Sequence, residues 1–335
     1  MDGDRRVQWG RRVDARIDDE GNTRINIPCR HCVGCNVAQQ REWSIRAYHE
    51  AQLHTTWWSD PKNGIAAMVP NNACVTLTYD DEHMPRNEKG HGILVKEDFQ
   101  KFIRRLRRYR ERKLNNYAPV SYLMTGEYGQ KKPDGTPGRP HFHAIIFNHD
   151  FADTYLEQAG NDTHTMSEEL DFLWSSSTAQ YKHPSKNGRA TAEPFTFAAA
   201  AYVAGYVAKK AIADGSHDGP VEWHTDDDGV RTVRPTHPEY RQASLKPAIA
   251  KEWIRRPENY RKIYEEDCVR IGEWQYHPPR YYDKQLEEVA PRLFGDIKLN
   301  RIDGTSKAAE EWSPTRCSSA EILALERLQR MRLSL

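Results

Sequence analysis

The stretch that most constrains this chain is Gly138-Arg139-Pro140-His141-Phe142-His143-Ala144-Ile145-Ile146-Phe147. Side chains alternate across a strand, so His141 and His143 share one face while Phe142 points into the opposite layer. The run Ala144 to Phe147 reads as the buried continuation of that strand. Two imidazoles on one face are two arms of a metal site, or else two polar residues at a strand end. Pro119-Val120-Ser121-Tyr122-Leu123-Met124-Thr125-Gly126-Glu127 precedes it as a second strand, and the loop from Tyr128 to Pro140 is rich in Gly, Pro and Lys. The two strands form an antiparallel hairpin, which sets Glu127 at the loop end of one arm and His141 at the start of the other. A carboxylate and two imidazoles with open positions suit Mg2+ or Mn2+ engaged on a phosphate.

Two helices carry further chemistry. Phe195 to Ala211 is helical in composition, and Tyr202 and Tyr206, four residues apart, share a face. Lys209 and Lys210 follow Tyr206 by three and four residues, so at least one ammonium falls near that face. A phenol is a capable nucleophile once deprotonated; two snorkelling tyrosines on an amphipathic helix are the plainer alternative. The second helix, 96–114, places Phe99, Phe102, Ile103, Leu106 and Tyr109 on one side. Between Lys96 and Lys113 it carries nine Lys/Arg, Arg104, Arg105, Arg107 and Arg108 among them, and three acids, a net +6. Such a face suits phosphates, and also simply water. The whole chain, with 49 basic and 48 acidic residues, gives no global charge signal, so any such signal is local.

Residues 1–27 form an Arg-rich arm or a short hairpin around Glu20-Gly21-Asn22. Cys29, Cys32 and Cys35 follow at the spacing of half a zinc site; His31, His49, His54 and Cys74 are candidates for a fourth Zn2+ ligand, and a compact thiol-lined turn is the alternative. A helix is expected over 36–55, a loop over 58–70, and a strand over 73–79 that ends in Asp80-Asp81-Glu82-His83. Residues 148–196 read as an insertion with one helix near Ser167–Trp174 and polar loop after it. A hairpin is expected at 221–224 with 229–233, then 240–246 without assigned structure, helices near 247–255 and 258–269, an aromatic, proline-rich stretch at 276–282, and an amphipathic helix over 321–333. No apolar run approaches a membrane span and no signal peptide is visible, so the six cysteines read as reduced thiols in a cytoplasm.

Taken in order, the acid-ended strand, the His-x-His strand and Tyr-x-x-x-Tyr-x-x-Lys resemble the HUH endonucleases that initiate rolling-circle replication. The Cys motif followed by Arg41-Glu42-Trp43, then Thr76-Leu77-Thr78-Tyr79-Asp80-Asp81-Glu82-His83 and Gly126-Glu127-Tyr128-Gly129, looks most like the replication initiators of microviruses, in particular their gokushovirus-like branch. That resemblance implies an α+β fold: a central antiparallel sheet, a palm related to the RNA-recognition-motif topology, flanked by helices, with extra N-terminal and C-terminal helices. The implied organisation is an arm and Cys motif (1–35), an endonuclease domain (36–256) and a helical extension (257–335). In the family the histidine pair and an acid hold a divalent metal, here His141, His143 and Glu127. The paired tyrosines, here Tyr202 and Tyr206, cut origin or single-stranded DNA through a 5′-phosphotyrosine, with Lys209 or Lys210 stabilising charge. Arg139 and the basic helix would follow the DNA backbone. The implied partners are a host polymerase and, because no G-x-x-x-x-G-K-[ST] occurs, a host helicase; the implied setting is a bacterial cytoplasm. Two rivals stand beside this expectation: a DNA- or RNA-binding module with structural zinc and no chemistry, and an HUH relaxase or transposase.

Overall fold

The computed structural model describes residues 15–17, 23–25, 33–60, 65–129, 136–159, 162–175, 188–213, 221–225, 231–235 and 237–307, with positions 319, 322, 323 and 326. In chain order the elements are β1 (Ala15–Ile17), β2 (Thr23–Ile25), α1 (Val33–Ala51), β3 (Thr55–Asp60), β4 (Ile65–Pro70), β5 (Asn72–Thr78), α2 (Lys96–Lys113), β6 (Ser121–Tyr128), β7 (Pro140–Phe147), β8 (Tyr155–Ala159), β9 (Asp162–Met166), α3 (Glu168–Leu173), β10 (Ala190–Pro194), α4 (Phe197–Ala213), β11 (Val221–Thr225), β12 (Arg231–Pro235), β13 (Tyr240–Ala243), α5 (Lys251–Arg255), α6 (Pro257–Glu265), β14 (Val269–Ile271), β15 (Trp274–Tyr276), α7 (Arg280–Val289) and α8 (Pro291–Lys307).

The expected α+β architecture is present. Five strands build one sheet in the order β10-β5-β7-β6-β13, every neighbour antiparallel. The His-x-His strand β7 lies in the middle, and the alternation of its side chains feeds two separate cores. Phe142, Ala144 and Ile146 pack with Phe99, Phe102, Ile103 and Leu106 of α2 and with Leu170, Leu173 and Trp174 around α3. Ile145 and Phe147 join Leu123 of β6 on the other face, against Ile45 and Ala47 of α1 and Ala200, Val203 and Ala204 of α4. The C-terminal helices extend this second core through Ile254, Ile263, Tyr282, Leu286 and Phe294.

Local sequence explains the helices. In α2, apolar residues recur at three and four, Glu97 and Asp98 occupy the first turn, and Arg110, Arg112 and Lys113 the last, in the sense the helix dipole favours. Ser167 caps α3 by accepting the Leu170 N–H at 3.0 Å. Buried Glu50 of α1 accepts hydrogen bonds from Ser121 Oγ at 2.8 Å and the Ala250 N–H at 2.6 Å, and contacts His54 at 3.1 Å. One carboxylate thereby joins α1 to β6 and to the start of α5.

The structure corrects four expectations. Residues 58–70 are not loop: the β3 and β4 hairpin occupies both sides of the expected turn, as Thr55-Thr56-Trp57-Trp58 and Ile65 to Val69 suit strands. Residues 190–194 are not polar loop but the edge strand β10, paired with β5. Residues 240–243 form the opposite edge, β13, paired with β6. The stretch 276–282 ends β15 and begins α7. Edge strands pair on one side only and lie far from their partners in sequence, so local composition marks them weakly. Most of the helix expected over 321–333 lies outside the described residues.

Candidate metal centre and nucleophile helix

Glu127 and His141 face each other across β6 and β7, and His143 stands two residues along, between Thr125 and Thr76. The register therefore brings three chemical groups together without any loop having to position them. Nε2 of His141 lies 2.7 Å, and Nε2 of His143 2.8 Å, from the same Glu127 Oε1. The two imidazole rings stand perpendicular with centroids 4.9 Å apart. Glu127 is fully buried, whereas both histidines keep some exposure.

The residues fit a divalent cation. The three ligand atoms lie within 4.8 Å of one another. Oε2 of Glu127 is buried with no hydrogen-bond partner, an idle acceptor that a cation would satisfy. Nδ1 of His141 sits 3.0 Å from the Arg139 carbonyl, which can only accept, so Nδ1 carries the proton and Nε2 is the ligand atom. Nδ1 of His143 meets the Thr76 hydroxyl at 2.9 Å, which aims its Nε2 the same way.

Helix α4 brings a phenol to this group. The Tyr202 ring stands edge-on to His143, with centroids 5.2 Å apart. Burial, followed by the nearby Glu127 charge, pushes the Tyr202 phenol well above its ordinary pKa. The helix is clamped from two sides. Gln40 of α1 donates to the Ala201 carbonyl at 2.8 Å, and Arg241 of β13 donates to the Ala204 carbonyl at 2.7 Å. A Cβ on Gly205 would fall 2.0 Å from Gln40 Nε2, so glycine lets the two helices meet here. The backbone of α4 continues through Tyr206, Lys209 and Lys210, whose side chains lie outside the described residues.

Comparison with known proteins bears on the same segment. The family model for replication-associated proteins of the ORF2 type matches residues 72–211, from β5 to α4. Replication-associated protein VP4 of Bdellovibrio phage phiMH2K is 33% identical over 271 residues, which cover 79% of this chain and 69% of that protein. Replication-associated protein ORF2 of Spiroplasma virus 4 is 30% identical over 282 residues, covering 82% and 72%. The chain belongs to this family of replication-associated proteins. The sequence resemblance to microvirus initiators is borne out at that level. No solved structure matches the chain.

Other expected site residues of this replication-associated protein lie apart from the triad. Arg139 is at the triad's end of the sheet, donating to the Tyr79 carbonyl at 2.8 Å and to Asp81 at 2.7 Å. Helix α2 packs on the opposite face of the sheet. Its Arg104 and Arg108 are exposed, while Arg105 donates to the Leu173 carbonyl and Arg107 to the Val120 carbonyl. Cys35 lies in the first turn of α1, and Cys29 and Cys32 lie outside the described residues. Among the described residues no helix is long and apolar enough to cross a membrane. Thr76, Gln40, Gly205 and Arg241 were not singled out by sequence. Only the Thr76-Leu77-Thr78 alternation hinted that Thr76 shares a face with something polar.

Proposed function

We propose that this protein initiates rolling-circle replication by cutting single-stranded or origin DNA with a tyrosine, in a site that works with Mg2+ or Mn2+ on Glu127, His141 and His143. The observation that carries the reading is the Tyr202 ring packed against His143 of the triad. When bound, the cation would supply Lewis-acid polarisation of the scissile phosphate. Tyr202 Oη attacks phosphorus, the P–O3′ bond breaks, and the phenolic proton is lost to water as the 3′-oxygen gains one. A 5′-phosphotyrosine and a 3′-OH result, with no water consumed, so a later 3′-OH can reverse the step and reseal a strand. Tyr206, four residues on, supplies a second nucleophile for a second cut, and Lys209 or Lys210 offsets the charge. The freed 3′-OH serves a host polymerase, and a host helicase opens the duplex.

The test uses 5′- and 3′-labelled origin oligonucleotides with Mn2+ or Mg2+, read on a denaturing gel. A protein-linked fragment that needs the metal and vanishes in the Tyr202→Phe/Tyr206→Phe variant is expected. Tight binding with no adduct under any metal, across a library of candidate origins, would replace this reading with that of a binding module.

A further inference from the structure

The C-terminal end of α2 holds a group that the triad does not use. Arg110 continues the helix face of Phe99, Phe102, Ile103 and Leu106, where the spacing asks for an apolar side chain. It is just as buried, at 2% exposure. Its Nη1 donates to the Ala118 carbonyl at 2.7 Å, but Nε and Nη2 are buried without an acceptor. Idle donors on a buried guanidinium are costly and call for a ligand. The Glu169 carboxylate acts on Arg110 through space, yet that carboxylate is engaged by His149 at 2.9 Å.

Arg110 lines a cavity of about 210 Å³ together with Arg107, Lys246, Glu111, Asn116 and Tyr117. Three cations there face one carboxylate, enough to offset the negative end of the α2 dipole. The volume falls below the ~300 Å³ at which drug-sized pockets begin and suits one compact anion. Tyr117 is 75% exposed, so its ring is open to a planar partner.

We propose that this cavity binds a phosphate of the DNA backbone, with Arg107, Arg110 and Lys246 as donors and the Tyr117 ring stacking on the adjoining base. The proposal rests on the reading of the protein as a DNA-handling initiator and adds a second place where it grips its substrate. The cavity lies at the Val120 end of β6 and on the α2 side of the sheet, whereas Glu127 lies at the far end and on the other face. The strand between them spans roughly 20 Å. At about 3.4 Å per phosphate, one strand touching both sites spans about six phosphates or more. The cavity thus holds DNA that is not being cut.

The experiment compares wild type with Arg110→Met and Lys246→Gln, measuring the affinity of a labelled single strand of about 30 nucleotides against salt by anisotropy. Inorganic phosphate is tested separately by thermal shift, and Mn2+ affinity at the triad serves as a fold control. Arg110→Met keeps the helix face apolar, so it is expected to melt no lower than wild type. Both variants are expected to bind the strand roughly tenfold more weakly, the loss of one charge-assisted contact. Their log–log salt slopes should be shallower by about 0.7. Unchanged affinity and slope in both variants, with triad affinity intact, would overturn the proposal. So would a phosphate-induced thermal shift that the variants abolish while strand binding stays at the wild-type level, since the ligand would then be a free anion. A protein that grips the strand in this way but never forms a tyrosine adduct keeps this site and loses the nickase reading. One that forms the adduct while neither variant matters does the reverse.

Discussion

Glu127, His141 and His143 meet because a hairpin register makes them neighbours, and Thr76 completes the arrangement from the other side of β7. A hydroxyl on Nδ1 fixes which imidazole nitrogen faces the cation. Thr76→Val keeps the shape and removes that bond. It is expected to weaken Mn2+ binding by about 10- to 100-fold, read by titration calorimetry, with little change in melting temperature. Equal Mn2+ affinity would show that packing alone orients His143. Glu127→Gln should go further and abolish measurable Mn2+ binding, since the only anionic ligand of the triad is lost. The triad was legible in sequence because both histidines and the glutamate sit within one hairpin, where period-two alternation and a loop suffice to place them. Thr76 was not legible, because nothing local says that β5 pairs with β7 on the side away from β6.

At the scale of elements, the reaction depends on where α4 stands, and that is set by its crossing with α1. Gly205 and Gln40 define the crossing, with Gln40 spanning to the Ala201 carbonyl one turn before. In an exposed helix Gly→Ala stabilises by about 1 kcal/mol. Here the sign should reverse: Gly205→Ala drives Gln40 off its bond, lowers the melting temperature and reduces adduct formation by displacing Tyr202. Gln40→Ala combined with Gly205→Ala should recover part of the melting temperature. A Gly205→Ala protein that melts higher than wild type would refute the crossing argument. The helical nature of 197–213 was plain from composition, but the crossing itself was not, since it joins residues more than 160 positions apart. The same separation hid the edge strands β10 and β13.

On the scale of the whole molecule, the second core is closed around two buried titratable groups of α1. His49 stacks on Trp253 with centroids 3.6 Å apart and meets Tyr282 Oη at 2.7 Å. Burial, aided by Lys262, pushes its imidazole down to about 3. An unfolded imidazole titrates near ~6.5. Between those values the unfolded chain binds a proton that the native state refuses, so stability falls as pH drops through that window, by up to a few kcal/mol. Burial also works against the Glu50 carboxylate, yet its bonds from His54, Ala250 and Ser121 outweigh burial and hold its pKa below the ordinary value. Its contribution is present above that ordinary value and is lost at more acid pH, as the carboxyl protonates in the folded state. Urea midpoints measured from about pH 7.5 to about pH 4 should fall steadily in wild type. In His49→Phe they should start lower, for want of the Tyr282 bond, and fall less. Parallel curves would place the acid sensitivity elsewhere.

The central position of β7 also has a kinetic consequence. Its amides and carbonyls are tied on both sides, to β5 and to β6, so they cannot open by fraying from an edge. Exchange of the amide protons along β7 should then proceed only through unfolding of the sheet as a whole, and deuterium uptake there should report the global free energy, well after β10 and β13 have exchanged. Heating would take away the ability to hold a cation in the same transition that takes away the fold, with no earlier, partly loosened form of the site.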